Sequence, residues 1–144
     1  MAITPENTFK NILDKLESII ETEFKNSLPA CVGYEKMHGS QYIRILPQSS
    51  ELLNFTTNSE ERQFNIMLIY YFDEKMINTK SMDHILRFTS RIEALIHDNI
   101  IMTLSDSSKA LNCRIQDTRY KTDQNNGIYT VELDWECNHV GNFG

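Results

Sequence analysis

The residues in this 144-residue chain with the most obvious capacity for chemistry are three cysteines, Cys31, Cys113 and Cys137, and four histidines, His38, His84, His97 and His139. Cys137-x-His139 offers two potential metal ligands, and Cys31 with His38 offers two more. Neither pair has the C-x2-C or H-x3-H spacing that lets two ligands from one segment reach one zinc ion. No metal site and no cofactor are expected. The odd cysteine number, in a chain that is neither small nor cysteine-dense, predicts reduced thiols that pack as small buried hydrophobes. A serine or cysteine nucleophile needs a partnered base. The G-x-S-x-G turn, the P-loop and G-x-G-x-x-G are all missing. The five glycines, Gly33, Gly39, Gly127, Gly141 and Gly144, form no phosphate-cradling loop. The carboxylates cluster as Glu60 with Glu61, and as Glu132, Asp134 and Glu136. The latter three alternate along a strand, which predicts a solvated acidic face that discourages edge-to-edge aggregation rather than an acid/base pair. No catalytic residues and no enzyme are expected, so function shifts to surfaces.

Those surfaces need elements to position them. Residues 5–25 place Phe9, Ile12, Leu13, Leu16, Ile19, Ile20 and Phe24 in steps of three and four, an amphipathic helix. Thr4 is the expected N-cap, with Pro5 at the first helical position. A second helix is predicted over 80–97, with Thr79 or Ser81 as cap. Its apolar stripe reads Met82, Ile85, Leu86, Thr89, Ile92, Leu95 and Ile96.

Strands are predicted at 31–34, 41–46, 62–72 and, as a closing hairpin, 113–122 and 128–137. Asn126-Gly127 supplies the hairpin turn. Residues 100–104 read equally as a short strand or a packed connector. Pro47 is expected to close the second strand, and residues 47–60 to form a long loop carrying Leu52, Leu53 and Phe55. Those three either tuck under the loop or are held for a partner. In the strand 62–72, Phe64, Ile66, Leu68, Tyr70 and Phe72 point one way, and Met67, Ile69 and Tyr71 the other. An apolar second face needs a cover, either a helix on each side of the sheet or another subunit. The expected fold is α+β: an antiparallel or mixed β-sheet with two amphipathic helices packed on it and a long hairpin loop, in a single domain over 1–144 with a short flexible tail at 138–144.

Hydrophobic residues at 40% and charged residues at 24% describe a globular chain. No apolar run approaches the roughly 20 residues of a membrane helix, and no membrane partner is expected. The start, Met1 to Glu6, lacks the pattern of a signal peptide, which predicts a cytoplasmic product. A net charge of −6 disfavours clamping nucleic acid by its phosphates. The nearest basic grouping, Arg114, Arg119 and Lys121, is interrupted by acids.

The order of elements resembles the tail terminator, or tail completion, proteins of tailed bacteriophages. The resemblance runs over about residues 8–138. It is carried by the Phe9-to-Phe24 helix, the Tyr42-Ile43-Arg44-Ile45 strand with the long loop after it, and the strand ending Leu68-Ile69-Tyr70-Tyr71-Phe72. It continues through the Ile85-to-Ile96 helix and the closing Tyr129-to-Trp135 strand. It implies an α/β sandwich that assembles as a homo-oligomeric ring of six copies, capping the tail tube and joining it to the head. The partners so implied are the protein itself, the tail tube and neck proteins, with DNA passing through without specific binding. The location implied is the virion, after assembly in the host cytoplasm. The candidate interface residues are Leu52, Leu53, Phe55, Met67, Ile69 and Tyr71. Another neck or head–tail connector subunit, and a dimeric α+β binding domain, are the alternatives.

Overall fold

The computed structural model describes residues 7–34, 39–74, 79–123 and 125–142. Helix α1 spans Thr8–Phe24. Asn7 caps it, its side-chain oxygen accepting from the Lys10 N–H at 3.1 Å. The expected cap Thr4, with Pro5, lies outside the described residues. The stripe is as read: Ile12, Leu13, Leu16, Ile20 and Phe24 are buried, with Phe9 and Ile19 packed against them. The helix stops where Lys25 turns to φ +52°, and one 3-10 turn, Lys25–Ser27, leads to the sheet.

The sheet has six strands: β1 Ala30–Val32, β2 Gln41–Phe55, β3 Ser59–Asp73, β4 Met102–Thr103, β5 Lys109–Asp123 and β6 Ile128–Asn142. Their spatial order is β1-β2-β3-β6-β5-β4, with β1 parallel to β2 and every other pairing antiparallel. The mixed α+β architecture is the expected one. Helix α2, Thr79–His97, lies between β3 and β4 in the chain.

Three expectations need correction. Pro47 does not end β2. It pairs with Ile66 directly before a bulge at Gln48, on a stretch of β2 that β1 no longer reaches, so its missing N–H breaks no ladder bond. Most of 47–60 is therefore paired strand, and the connecting loop shrinks to Thr56–Asn58, where the Thr56 hydroxyl accepts from the Ser59 N–H at 3.1 Å. Secondly, α2 is rotated from the expected stripe. Its buried residues are Ser81, Ile85, Phe88, Thr89, Ile92 and Ile96, while Met82 and Leu86 are exposed. Both proposed caps sit inside the helix. Buried Ser81 donates to the Glu74 carboxylate, and buried Thr89 donates to the Ile85 carbonyl at 2.8 Å, so neither hydroxyl is lost on burial. Thirdly, β6 continues to Asn142, so 138–142 is strand where a tail was expected.

One core joins these elements. Both helices pack on the same side of the sheet, against Ile43, Ile45, Phe64, Ile66, Leu68, Tyr70, Val131, Leu133 and Trp135. Phe88 of α2 joins the two layers, its ring 5.9 Å from Phe24 and 6.1 Å from Tyr70. All three cysteines are buried and none is in a disulfide.

Candidate assembly surface

With both helices on one side, the alternative of a helix on each face is ruled out for the described residues. Among the described residues nothing covers the second face. Period-two alternation sends Tyr42, Arg44 and Leu46 of β2, and Met67, Ile69 and Tyr71 of β3, to that side. Tyr42 faces Tyr71, Arg44 faces Ile69 and Leu46 faces Met67 across the strand pair. The two tyrosine rings stack at 4.8 Å. The Arg44 guanidinium lies 5.4 Å from the Tyr42 ring centre, 5.9 Å from Tyr71 and 5.8 Å from Tyr34, and donates to the Gly33 carbonyl at 3.0 Å. Burial pushes the Tyr71 phenol above its ordinary value, with Tyr42 acting in the same direction.

This is an arginine held in a tyrosine frame on an open sheet. Tyrosine and arginine are the residue types enriched at the energetic centres of protein interfaces. The six proposed contact residues divide. Met67 and Tyr71 are half-buried on this face. Ile69, flanked by Arg44 on β2 and Glu132 on β6, keeps only 9% of its surface, so its neighbours in the chain already seal it. Leu52, Leu53 and Phe55 sit elsewhere, on the distal half of the β2–β3 hairpin, exposed by 42%, 44% and 70%. They form no satellite cluster. A second bulge between Leu52 and Asn54 leaves Leu53 as the extra residue. From Gln48 the strand runs on for about 25 Å, exposed throughout.

Sequence reasoning missed Tyr34, Tyr42 and Arg44. Arg44 lies in an aromatic-rich strand, and only its pairing with Ile69 brings the Tyr71 ring beside it.

The acidic stretch of β6 is not a bare face. Arg119 of β5 bridges Asp134 at 2.6 Å, Asp117 at 2.8 Å and Glu132 at 3.4 Å. Lys121 reaches Glu132 at 2.9 Å, and Arg114 reaches Glu136 at 2.6 Å. The Arg119 hydrogen bond holds the Asp134 carboxyl below its usual range. The basic grouping read from the sequence is thus the cross-strand partner of the acidic one, and such opposite-charge pairs stabilise the β5–β6 pairing.

No group of three or more metal-ligating side chains is present among the described residues. Cys137 faces the core, His139 bonds Ser108 at 2.8 Å, and His38 lies outside the described residues. Among the described residues no helix is long and apolar enough to cross a membrane.

The chain is thus defined by a six-stranded mixed sheet with two helices on one face and an aromatic, arginine-bearing face left open. No family model and no curated protein matches it. Among solved structures, it is similar to a chain from the virion of a native gene transfer agent particle. That match has a TM-score of 0.66 over 95% of this chain and 100% of that one, at 6% sequence identity. At that identity the likeness is one of fold.

Proposed function

We propose that this chain is a structural, non-enzymatic subunit of a virion, of the tail terminator type. Six copies form a ring that caps the tail tube and joins it to the head. The carrying observation is the open sheet face with Tyr42, Arg44, Met67 and Tyr71, a surface that a neighbouring copy covers. The fold shared with a virion chain supports this reading. A head-to-tail contact closes into a ring when its rotation allows. The exposed hairpin end with Leu53 and Phe55 is then free to meet tail tube or neck proteins. The net charge of −6 suits a channel through which DNA passes without adhering. The particle assembles in the host cytoplasm and the subunit resides in the virion. A neck connector subunit shares all of these properties.

One observation favours a binding domain instead. A groove of about 1030 Å³ opens between α2 and β5, lined in part by Glu93, His97, Asn112 and Thr118. Negative-stain electron microscopy of the purified protein separates the two readings. Closed rings are expected, and uniform monomers or dimers overturn the ring.

A further inference from the structure

Two of the three thiols meet in the core. Cys113 lies in the bulge of β5 between the pairs Leu111–Asn138 and Arg114–Glu136, which places it opposite Cys137 of β6. Both belong to the buried core, at 1% and 0% exposure. The Cys113 thiol donates to the Ala110 carbonyl at 3.5 Å. Neighbouring positions on paired antiparallel strands, both turned into one core, are the placement a cross-strand disulfide needs. Cys113 also lines the groove between α2 and β5, whereas Cys137 does not. The Cys113 side chain is itself buried, so a small reagent in that groove reaches it when the bulge opens, and reaches it before Cys137.

We propose that Cys113 and Cys137 form an intramolecular cross-strand disulfide when the folded protein meets a low-molecular-weight disulfide such as oxidised glutathione. The Cys113 thiolate attacks one sulfur of the reagent, forming a mixed disulfide and expelling one glutathione thiolate. Cys137 then loses its proton and attacks the Cys113 sulfur, expelling the second. Two protein thiols are oxidised and one glutathione disulfide is reduced to two thiols. The proximity of the two thiols favours this division of roles, drawing the Cys113 thiol down and, with burial, pushing the Cys137 thiol up. Cys31 lies on β1, two strands beyond β3 and apart from this pair. On the virion reading above, the bridge forms after the particle leaves a reducing cytoplasm. The bridge itself does not depend on that reading.

The test treats folded protein with excess oxidised glutathione, quenches it in acid, alkylates it in denaturant and maps the peptides by mass spectrometry. One alkylated cysteine, Cys31, and a linked pair of peptides holding Cys113 and Cys137 are expected. Cys31→Ser should give the same link, and Cys137→Ser should stop at a glutathione adduct on Cys113. Three alkylated thiols, a lasting Cys113 adduct in the wild type, or dimers linked through Cys31 would each overturn the proposal. The wild type and Cys31→Ser decide the matter even where Cys137→Ser does not fold.

Discussion

Tyr42 and Tyr71 stack across the β2–β3 pairing, their ring centres 4.8 Å apart and their planes 21° from parallel, on the sheet face that neither helix covers. Arg44 lies within 6 Å of both rings. A monomer gains little by ordering three such side chains at a wet surface. An interface gains a rigid, amphipathic contact area.

Tyr71→Glu should therefore dissociate the assembly while leaving the monomer folded. It puts a carboxylate into the open face, near Arg44 and Glu132 and away from the helix-covered core. Light scattering should report the monomer mass, and circular dichroism an unchanged spectrum. An unchanged mass contradicts the use of this face. Ile69→Glu is the poorer probe, because Ile69 is already sealed by its own chain and the charge would destabilise the monomer as well.

Two leucines should respond in opposite ways. Leu68 is fully buried at the centre of the sheet, and Leu68→Ala should cost about 2–5 kcal/mol. Leu53 is exposed at the bulge of the distal hairpin, and Leu53→Ala should stay within about 0.5 kcal/mol of wild type. Urea titrations of the two variants check both values. A large loss at Leu53 would place it in a core rather than on a contact surface.

How much of this was legible depended on which faces are dry. The stripe of α1 and the Tyr129-to-Cys137 alternation each separate one buried side from one wet side, and both read correctly. The distal half of β2 is wet on both sides, so no period of two appears, and Pro47 reads as a stop although it sits beside a bulge. On α2, Ser81 reads as a cap although its hydrogen bond to Glu74 lets it be buried, and the expected stripe omits Phe88, which helps to form the buried one. The Arg44–tyrosine frame is set by register. Register emerges only when strands pair.

His139 makes stability depend on pH in mildly acid solution. Burial holds its imidazole below the ordinary 6.5, with Asp106 pulling weakly the other way. The unfolded chain then binds a proton more readily than the folded one. The stability His139 contributes is full above pH 6.5, drains as pH falls below that value toward the lowered folded one, and levels off beneath it. Between pH 7.5 and 5.5 the wild type should lose more stability than His139→Gln, by up to about 1 kcal/mol. Urea unfolding at the two pH values measures the difference, and equal losses would remove His139 from the account.

On the proposed reading, copies of this chain cover one another's open sheet face. Size-exclusion chromatography with multi-angle light scattering, over a hundredfold dilution series, tests it most directly. A mass of several times 16.8 kDa is expected at the concentrated end, with six copies for the ring. A constant 16.8 kDa at every concentration would contradict it.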